Sequence, residues 1–150
     1  MEFMNELLSN RVLIAGITGW ASAQVLKAVI YTILNKEFSI ERLFGDGGMP
    51  SGHSATVSAM AMMSCLHYGA ASFEFAISTM LAIIVMHDAM GVRLETGKQA
   101  KVLNEMMELL QKKDYVQAFS EEKLKEFVGH TPLQVAAGCI LGLIVGWLLH

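Results

Sequence analysis

Apolar residues in this chain fall into long stretches separated by polar segments. Four of them approach the roughly 20 residues an α-helix needs to cross a bilayer core. They cover about 12–34, 54–71, 75–92 and 132–149. The second is the least apolar, with Thr56, Ser58 and Ser64, and is expected to face protein neighbours more than lipid. Only a short turn centred on Gly69 to Glu74 separates it from the third, which predicts an antiparallel hairpin. The fourth carries Gly138, Gly142 and Gly146 at a spacing of four. That register lines one helix face with glycine and lets another backbone approach closely, so the face is expected to pack tightly and permits a homo-oligomer. Between the third and fourth stretches, Val102, Leu103, Met106, Met107 and Leu110 recur at helical spacing. Lys101 with Glu105, and Glu108 with Lys112, can pair one turn apart. This predicts an amphipathic helix on the membrane surface or on the bundle, within a cytoplasmic segment 97–128. A second short helix is expected after Ser120, with Glu121 and Glu122 at its positive end and Gly129 closing it. The expected fold is all-α. It is a polytopic membrane helical bundle in one domain of residues 1–150, with about four transmembrane helices plus the amphipathic surface helix.

Composition strengthens the membrane reading. Hydrophobic residues make up 53% of the 150 and charged residues 17%, against a usual ~25% charged. Eleven Met and thirteen Gly suit packed membrane helices. The net charge of −3 argues against nucleic acid as a partner. Cys65 and Cys139 both lie in apolar runs and read as buried thiols, neither a disulfide framework nor a metal site. The N-terminal apolar run lacks a signal peptide's basic start and cleavage site, so it is expected to stay as an anchor. With four spans, both chain ends share one side, and the loops 35–50 and 93–129 share the other. Those loops hold Lys36, Arg42, Arg93, Lys98, Lys101, Lys112, Lys113, Lys123 and Lys125, whereas the side with the termini holds Arg11. The positive-inside rule therefore puts the loops in the cytoplasm.

The candidate chemistry gathers on that same face. Pro50-Ser51-Gly52-His53, after Gly45-Asp46-Gly47-Gly48, joins a glycine-rich loop to a helix start. A helix N-terminus presents unpaired N–H groups and partial positive charge, and attracts anions. Ser51 or Ser54 can cap it, and His53 can move a proton near neutral pH. A phosphate ester is the natural guest; a capped helix with an incidental histidine explains the four residues equally well. Span counting adds Asp88 and Arg93 at the end of the third stretch, Lys98 at the start of the surface helix, and His130 just before the fourth. Gln24 and Lys27, three apart, share a face of the first span. Lys27 either snorkels to the interface or points into the bundle toward an anion. His87 beside Asp88 invites a metal reading with His53 and His130. Adjacent helix positions point about 100° apart, however, so no metal and no cofactor are expected.

Pro50-Ser51-Gly52-His53 resembles the second motif of the type 2 phosphatidic acid phosphatase and vanadium haloperoxidase superfamily. Gly129-His130-Thr131-Pro132-Leu133-Gln134-Val135, with Ala137-Gly138 and Leu141-Gly142 following, resembles its third. The closer likeness is to a divergent bacterial and plant branch. Its marks here are Gly47-Gly48-Met49-Pro50-Ser51-Gly52-His53-Ser54-Ala55, Asp88-Ala89 with Gly91-Val92-Arg93, Gly97-Lys98-Gln99-Ala100, Leu103-Asn104 and Gly129-His130-Thr131-Pro132. The resemblance implies an integral membrane protein, in a bacterium of the inner (plasma) membrane. It implies a phosphatase acting on a lipid phosphate or pyrophosphate among membrane lipids, with its site on the cytoplasmic side. In that scheme His130 attacks phosphorus and forms a phosphohistidine, while His53 protonates the leaving alkoxide. Arg93, Lys98 and Lys27 clamp the phosphoryl oxygens, with Arg42 a weaker counterpart, and Ser51 and Gly52 line the phosphate. Such chemistry needs positioning and charge neutralisation at the equatorial oxygens.

The departures bear on activity. The superfamily's aspartate four residues after the nucleophile is Gln134 here, which can orient an imidazole but cannot neutralise its charged form. Gln134 also fits a capping box with Thr131, Pro132 occupying the first helical position. Asp88 is the candidate displaced carboxylate, and Gln24 a candidate orienting group. Two other functions follow from the same residues. One is a lipid-phosphate-binding protein that kept the anion pocket and lost catalysis. The other is a small transporter using Lys27 and Asp88 as a coupled pair.

Overall fold

The computed structural model describes residues 2–37, 48–112, 124 and 129–150. Its regular elements are α1 (Glu2–Ser9), α2 (Arg11–Asn35), α3 (Gly52–Tyr68), α4 (Phe73–Met90), α5 (Val92–Lys112) and α6 (Pro132–Leu148). The chain is all-α among the described residues. Each of the four apolar stretches forms a helix, with ends shifted by up to three residues from the sequence expectation. Gly45, Asp46, Gly47, Arg42 and the expected short helix after Ser120, with Glu121 and Glu122, lie outside the described residues.

The hairpin turn is built by Ser72. Its Oγ donates to the Gly69 carbonyl at 2.7 Å and accepts from Phe75 N at 3.1 Å, so one side chain closes the turn and caps α4. Asn10 caps α2 the same way, accepting from Leu13 N at 3.0 Å. It separates α2 from α1, an element the spacing of Phe3, Met4, Leu7 and Leu8 would have revealed.

Helix α3 is the centre of the bundle and packs against α2, α4 and α6. Of the polar positions expected to face protein neighbours, Ser58 and Ser64 are buried and Thr56 is half-buried; Ser54 is buried as well. Ser64 and Ser78 share a hydrogen bond of 3.1 Å between α3 and α4. Small residues let the backbones touch. A Cβ on Gly146 would lie 2.7 Å from the Ala59 carbonyl oxygen; one on Gly142 would meet that of Ala55, and one on Gly138 that of Ser51. Register advances together on both helices, so α3 and α6 run parallel. On the other side Gly19 faces Ala55 and Ala59 while Gly16 faces Met60, so α2 runs antiparallel to α3. The Gly138/Gly142/Gly146 face is therefore filled by α3 of the same chain. This corrects the expectation that it is open to a second copy.

Among the described residues two helical stretches are long and apolar enough to cross a membrane: Arg11–Asn35, of 25 residues, and Phe73–Leu110, of 38. Only 17% of the apolar window in the second is buried, whereas the core helix of a soluble protein hides most of its surface. At 17 residues each, α3 and α6 fall short of that length. The count of about four full-length spans is thus narrowed to two that meet the criterion.

The chain breaks helix at Gly91 and restarts as α5 at Val92, earlier than the expected start at residue 97. Val102, Leu103 and Met106 lie exposed on α5, Gly97, Ala100 and Asn104 are buried, and Lys101 pairs with Glu105 at 3.9 Å. Asn104 grips the backbone of Leu124 twice, donating to its carbonyl at 2.9 Å and accepting from its N–H at 3.1 Å. The starts of α3 and α6 and the ends of α2 and α4 all lie at one end of the bundle. At the other end Arg11 Nη1 donates to the His150 carbonyl at 3.2 Å.

Candidate functional site

The site begins where α3 begins. Ser51 is buried and caps the helix, its Oγ accepting from Ser54 N at 3.3 Å and from Ser54 Oγ at 3.0 Å. Its own N–H donates to the Gln134 carbonyl at 3.0 Å, tying this loop to the first turn of α6. Gly52 is buried against Trp20, whose Cδ1 lies 3.6 Å from where a Cβ would stand. Before it, Gly48 has φ 84° and lies over Lys27, with a cis Met49–Pro50 bond following.

His130 is placed by three local devices. Gly129 has φ 92°, a conformation that suits glycine, and a Cβ there would run into the backbone of Arg93 and Leu94. The His130 N–H donates to the Ala89 carbonyl at 3.0 Å. The third device is the capping box of α6. Thr131 Oγ1 accepts from Gln134 N, and Gln134 Oε1 accepts from Thr131 N at 3.0 Å. The same Oε1 lies 3.2 Å from His130 Nδ1. A backbone N–H only donates, so the Gln134 atom facing it is oxygen, and Nδ1 must then donate as well. In the neutral ring this leaves the lone pair on Nε2. Capping and orienting, alternatives in the sequence, are met by one atom.

His53 and His130 lie with ring centroids 6.4 Å apart and planes tilted by 58°. His53 is exposed and His130 only 5% so. One imidazole thus reaches solvent while the other is held within the bundle. The first turn of α3 adds N–H groups at Gly52 and His53 that precede the helical ladder.

The candidate cations divide. Lys27 is only 6% exposed, which rules out the snorkelling alternative. Gln24, one turn before it, is 9% exposed, and its Oε1 is buried with no hydrogen-bond partner among the described residues. Trp20 against Gly52 and Lys27 beneath Gly48 bracket Gln24 along α2, at the level of the α3 start. The Arg93 backbone lies against Gly129, the residue before His130, despite the long separation in sequence. The Arg93 Nε donates to Asp88 Oδ2 at 2.6 Å, with the side chains 52% and 40% exposed. Asp88 is thus engaged by Arg93, and the group on His130 Nδ1 is Gln134. This corrects the expectation of Asp88 as the carboxylate orienting the nucleophile. Lys98 is exposed and bonded to Glu95 at 2.6 Å, one residue off the buried Gly97, Ala100 and Asn104 face. Its partner Glu95 is on the same helix, and no contact among the described residues joins it to the histidines. Trp20 and the Ala89 carbonyl help frame the site. Neither stood out in the sequence, because each acts through packing or backbone contact.

The chain is similar to known proteins along most of its length. Residues 8–145 match the model of the Divergent PAP2 family. A Bacillus subtilis (strain 168) protein named "Uncharacterized membrane protein YuiD" is 36% identical over 148 residues, covering 93% of this chain and 94% of the relative. No solved structure matches.

Proposed function

This chain belongs to the divergent PAP2 family, and on that footing we propose that it is an integral membrane phosphatase. Its substrate is a lipid phosphate or pyrophosphate, hydrolysed through a phosphohistidine. The observation that carries the reading is the 6.4 Å approach of His53 to His130, whose Nδ1 is held by Gln134. The His130 Nε2 lone pair attacks phosphorus as the bond to the leaving oxygen breaks. His53 delivers a proton to that oxygen, releasing an alcohol, or a phosphate ester from a pyrophosphate. Water then attacks the phosphohistidine, giving its proton to His53, and inorganic phosphate leaves. Lys27, Arg93 and the N–H groups of Gly52 and His53 take up the negative charge. The Arg93–Asp88 pair is half exposed, and such pairs are worth only about 0–1 kcal/mol. An arriving phosphate can therefore draw Arg93 away at little cost.

Helices α2, α3, α4 and α6 all run between the same two ends of the bundle, so α3 and α6 cross with it despite their length. The loop-bearing end with the histidines faces the cytoplasm in this reading, at the inner membrane if the source is a bacterium. The test is phosphate release from lipid phosphates in detergent by the wild type and by His130→Ala and His53→Ala. His130→Ala should fall to background while staying folded, and vanadate should inhibit the wild type. Undiminished hydrolysis by folded His130→Ala would remove the proposed nucleophile.

A second reading is favoured by one observation, the amide of Gln134 where a carboxylate would neutralise the charged imidazole. Here the protein binds lipid phosphate and does not turn it over. The wild type would then show saturable binding without phosphate release.

A further inference from the structure

Between α2 and α3 an open apolar groove of about 240 Å³ is lined by Leu13, Gly16, Ile17, Trp20, Thr56 and Met60. We propose that it seats the hydrocarbon chain of the phosphate-bearing substrate, an inference that rests on the phosphatase reading and adds where the substrate's tail lies. The groove runs on from the site. Trp20 forms the upper end of the groove and packs on Gly52, the first residue of the helix that carries His53. A chain leaving a phosphate at the α3 start meets this groove directly. From Trp20 to Leu13 the groove follows α2 for about 10 Å at helical rise.

Among the described residues the lining is apolar apart from the Trp20 indole N–H at the end nearest Gly52 and the Thr56 hydroxyl, which already donates to the Gly52 carbonyl at 2.8 Å. Beyond Trp20, polar groups on an occupant would lose their water partners and find few replacements, a cost that a methylene chain does not carry. Pockets for drug-sized ligands begin at roughly 300 Å³, so 240 Å³ fits a stretch of one chain. Gly16 shapes the floor, since a Cβ there would stand 2.8 Å from Met60 Cγ. The outer wall is open, with Ile17 57% exposed, so a chain can slide in from the side without threading through the bundle.

The experiment is photo-crosslinking in detergent micelles on His130→Ala, which needs no turnover. The probes are a long-chain alkyl phosphate with a diazirine in the chain and the alcohol of the same chain. Labelled peptides are mapped by mass spectrometry. The groove peptides around Leu13–Trp20 and Thr56–Met60 should be labelled by the phosphate at least about tenfold more than by the alcohol, the factor one charge-assisted hydrogen bond supplies. Ile17→Trp, which fills the groove from its outer wall, should reduce that label, and unlabelled alkyl phosphate should compete it away. Equal labelling by the alcohol would mean ordinary boundary lipid, and labelling confined to other helices would place the chain elsewhere. Either result overturns the groove assignment and leaves the phosphatase reading standing. Conversely, phosphate-dependent groove labelling without phosphate release by the wild type would keep the groove and remove the phosphatase.

Discussion

Gln134 shows how much one side chain can decide. Its Oε1 serves both the Thr131 N–H and His130 Nδ1, and each bond needs the full length of the side chain. Glutamate keeps that reach and adds charge, whereas aspartate is one methylene short. A charge-assisted hydrogen bond is roughly twice as strong as a neutral one. We therefore expect Gln134→Glu to raise phosphate release by about tenfold, the worth of some 1.4 kcal/mol at the barrier, as read by steady-state kinetics. Under the binding-only reading the same variant should gain turnover from none. No gain in either case would show that Gln134 does not tune the nucleophile. Gln24 carries a complementary prediction. Its Oε1 has no partner among the described residues, which costs the fold stability, so Gln24→Leu should stabilise the protein by about 1 kcal/mol, seen as a higher melting temperature in detergent, and raise KM for a lipid phosphate. The Thr131–Gln134 box was legible in the sequence because it spans a single turn. The capture of Asp88 by Arg93 was not, because it crosses the helix break at Gly91, where spacing alone gives no direction. Lys98 was misplaced for a related reason. Its Glu95 partner matters more than its closeness to the site in sequence.

At the scale of elements, bundle geometry rests on close backbone approach. Gly138, Gly142 and Gly146 place α6 on α3, and that packing, with the Ser51 N–H bond to the Gln134 carbonyl, brings the His53 turn to the His130 turn. A methyl at position 142 would push into the α3 backbone. Gly142→Ala should therefore cost about 1–3 kcal/mol, as overpacking does, and lower activity, whereas Gly69→Ala, whose Cβ would meet no neighbour, carries only positive-φ strain at the far turn and should leave activity unchanged. Thermal unfolding and phosphate release in detergent together distinguish them, and equal stability of Gly142→Ala and wild type would argue against backbone contact here. Gly129→Ala should be worse for the site. It combines positive-φ strain of about 1–3 kcal/mol with a collision against Arg93 and Leu94, and should displace His130. The stripe of glycines was legible as a close-packing face because its register repeats. Its partner was not, since spacing says that a backbone approaches and not which one.

For the whole molecule, counting apolar stretches was enough to bring two distant histidines to one end of the bundle. Alternation of helix direction follows from connectivity and needs no side-chain detail. The depth of each helix in the bilayer was less legible. Among the described residues length and hydropathy mark Arg11–Asn35 and Phe73–Leu110, while α3 turns its buried serines toward neighbours. The topology makes its own prediction. With Cys65 and Cys139 replaced, a cysteine at Lys98 should react with an impermeant maleimide only after the cytoplasmic face is opened, and one at Arg11 should react from outside. The reverse pattern would invert the molecule and move the site to the other leaflet. The central claim is chemical, however, and is tested most directly by trapping the intermediate. Rapid quenching of the protein with a radiolabelled lipid phosphate, followed by acid-labile, base-stable peptide mapping, should place the phosphoryl group on His130. That label should vanish in His130→Ala and accumulate in a variant slow to hydrolyse it. Turnover of the same substrate with no phosphoryl group on His130 would contradict the account.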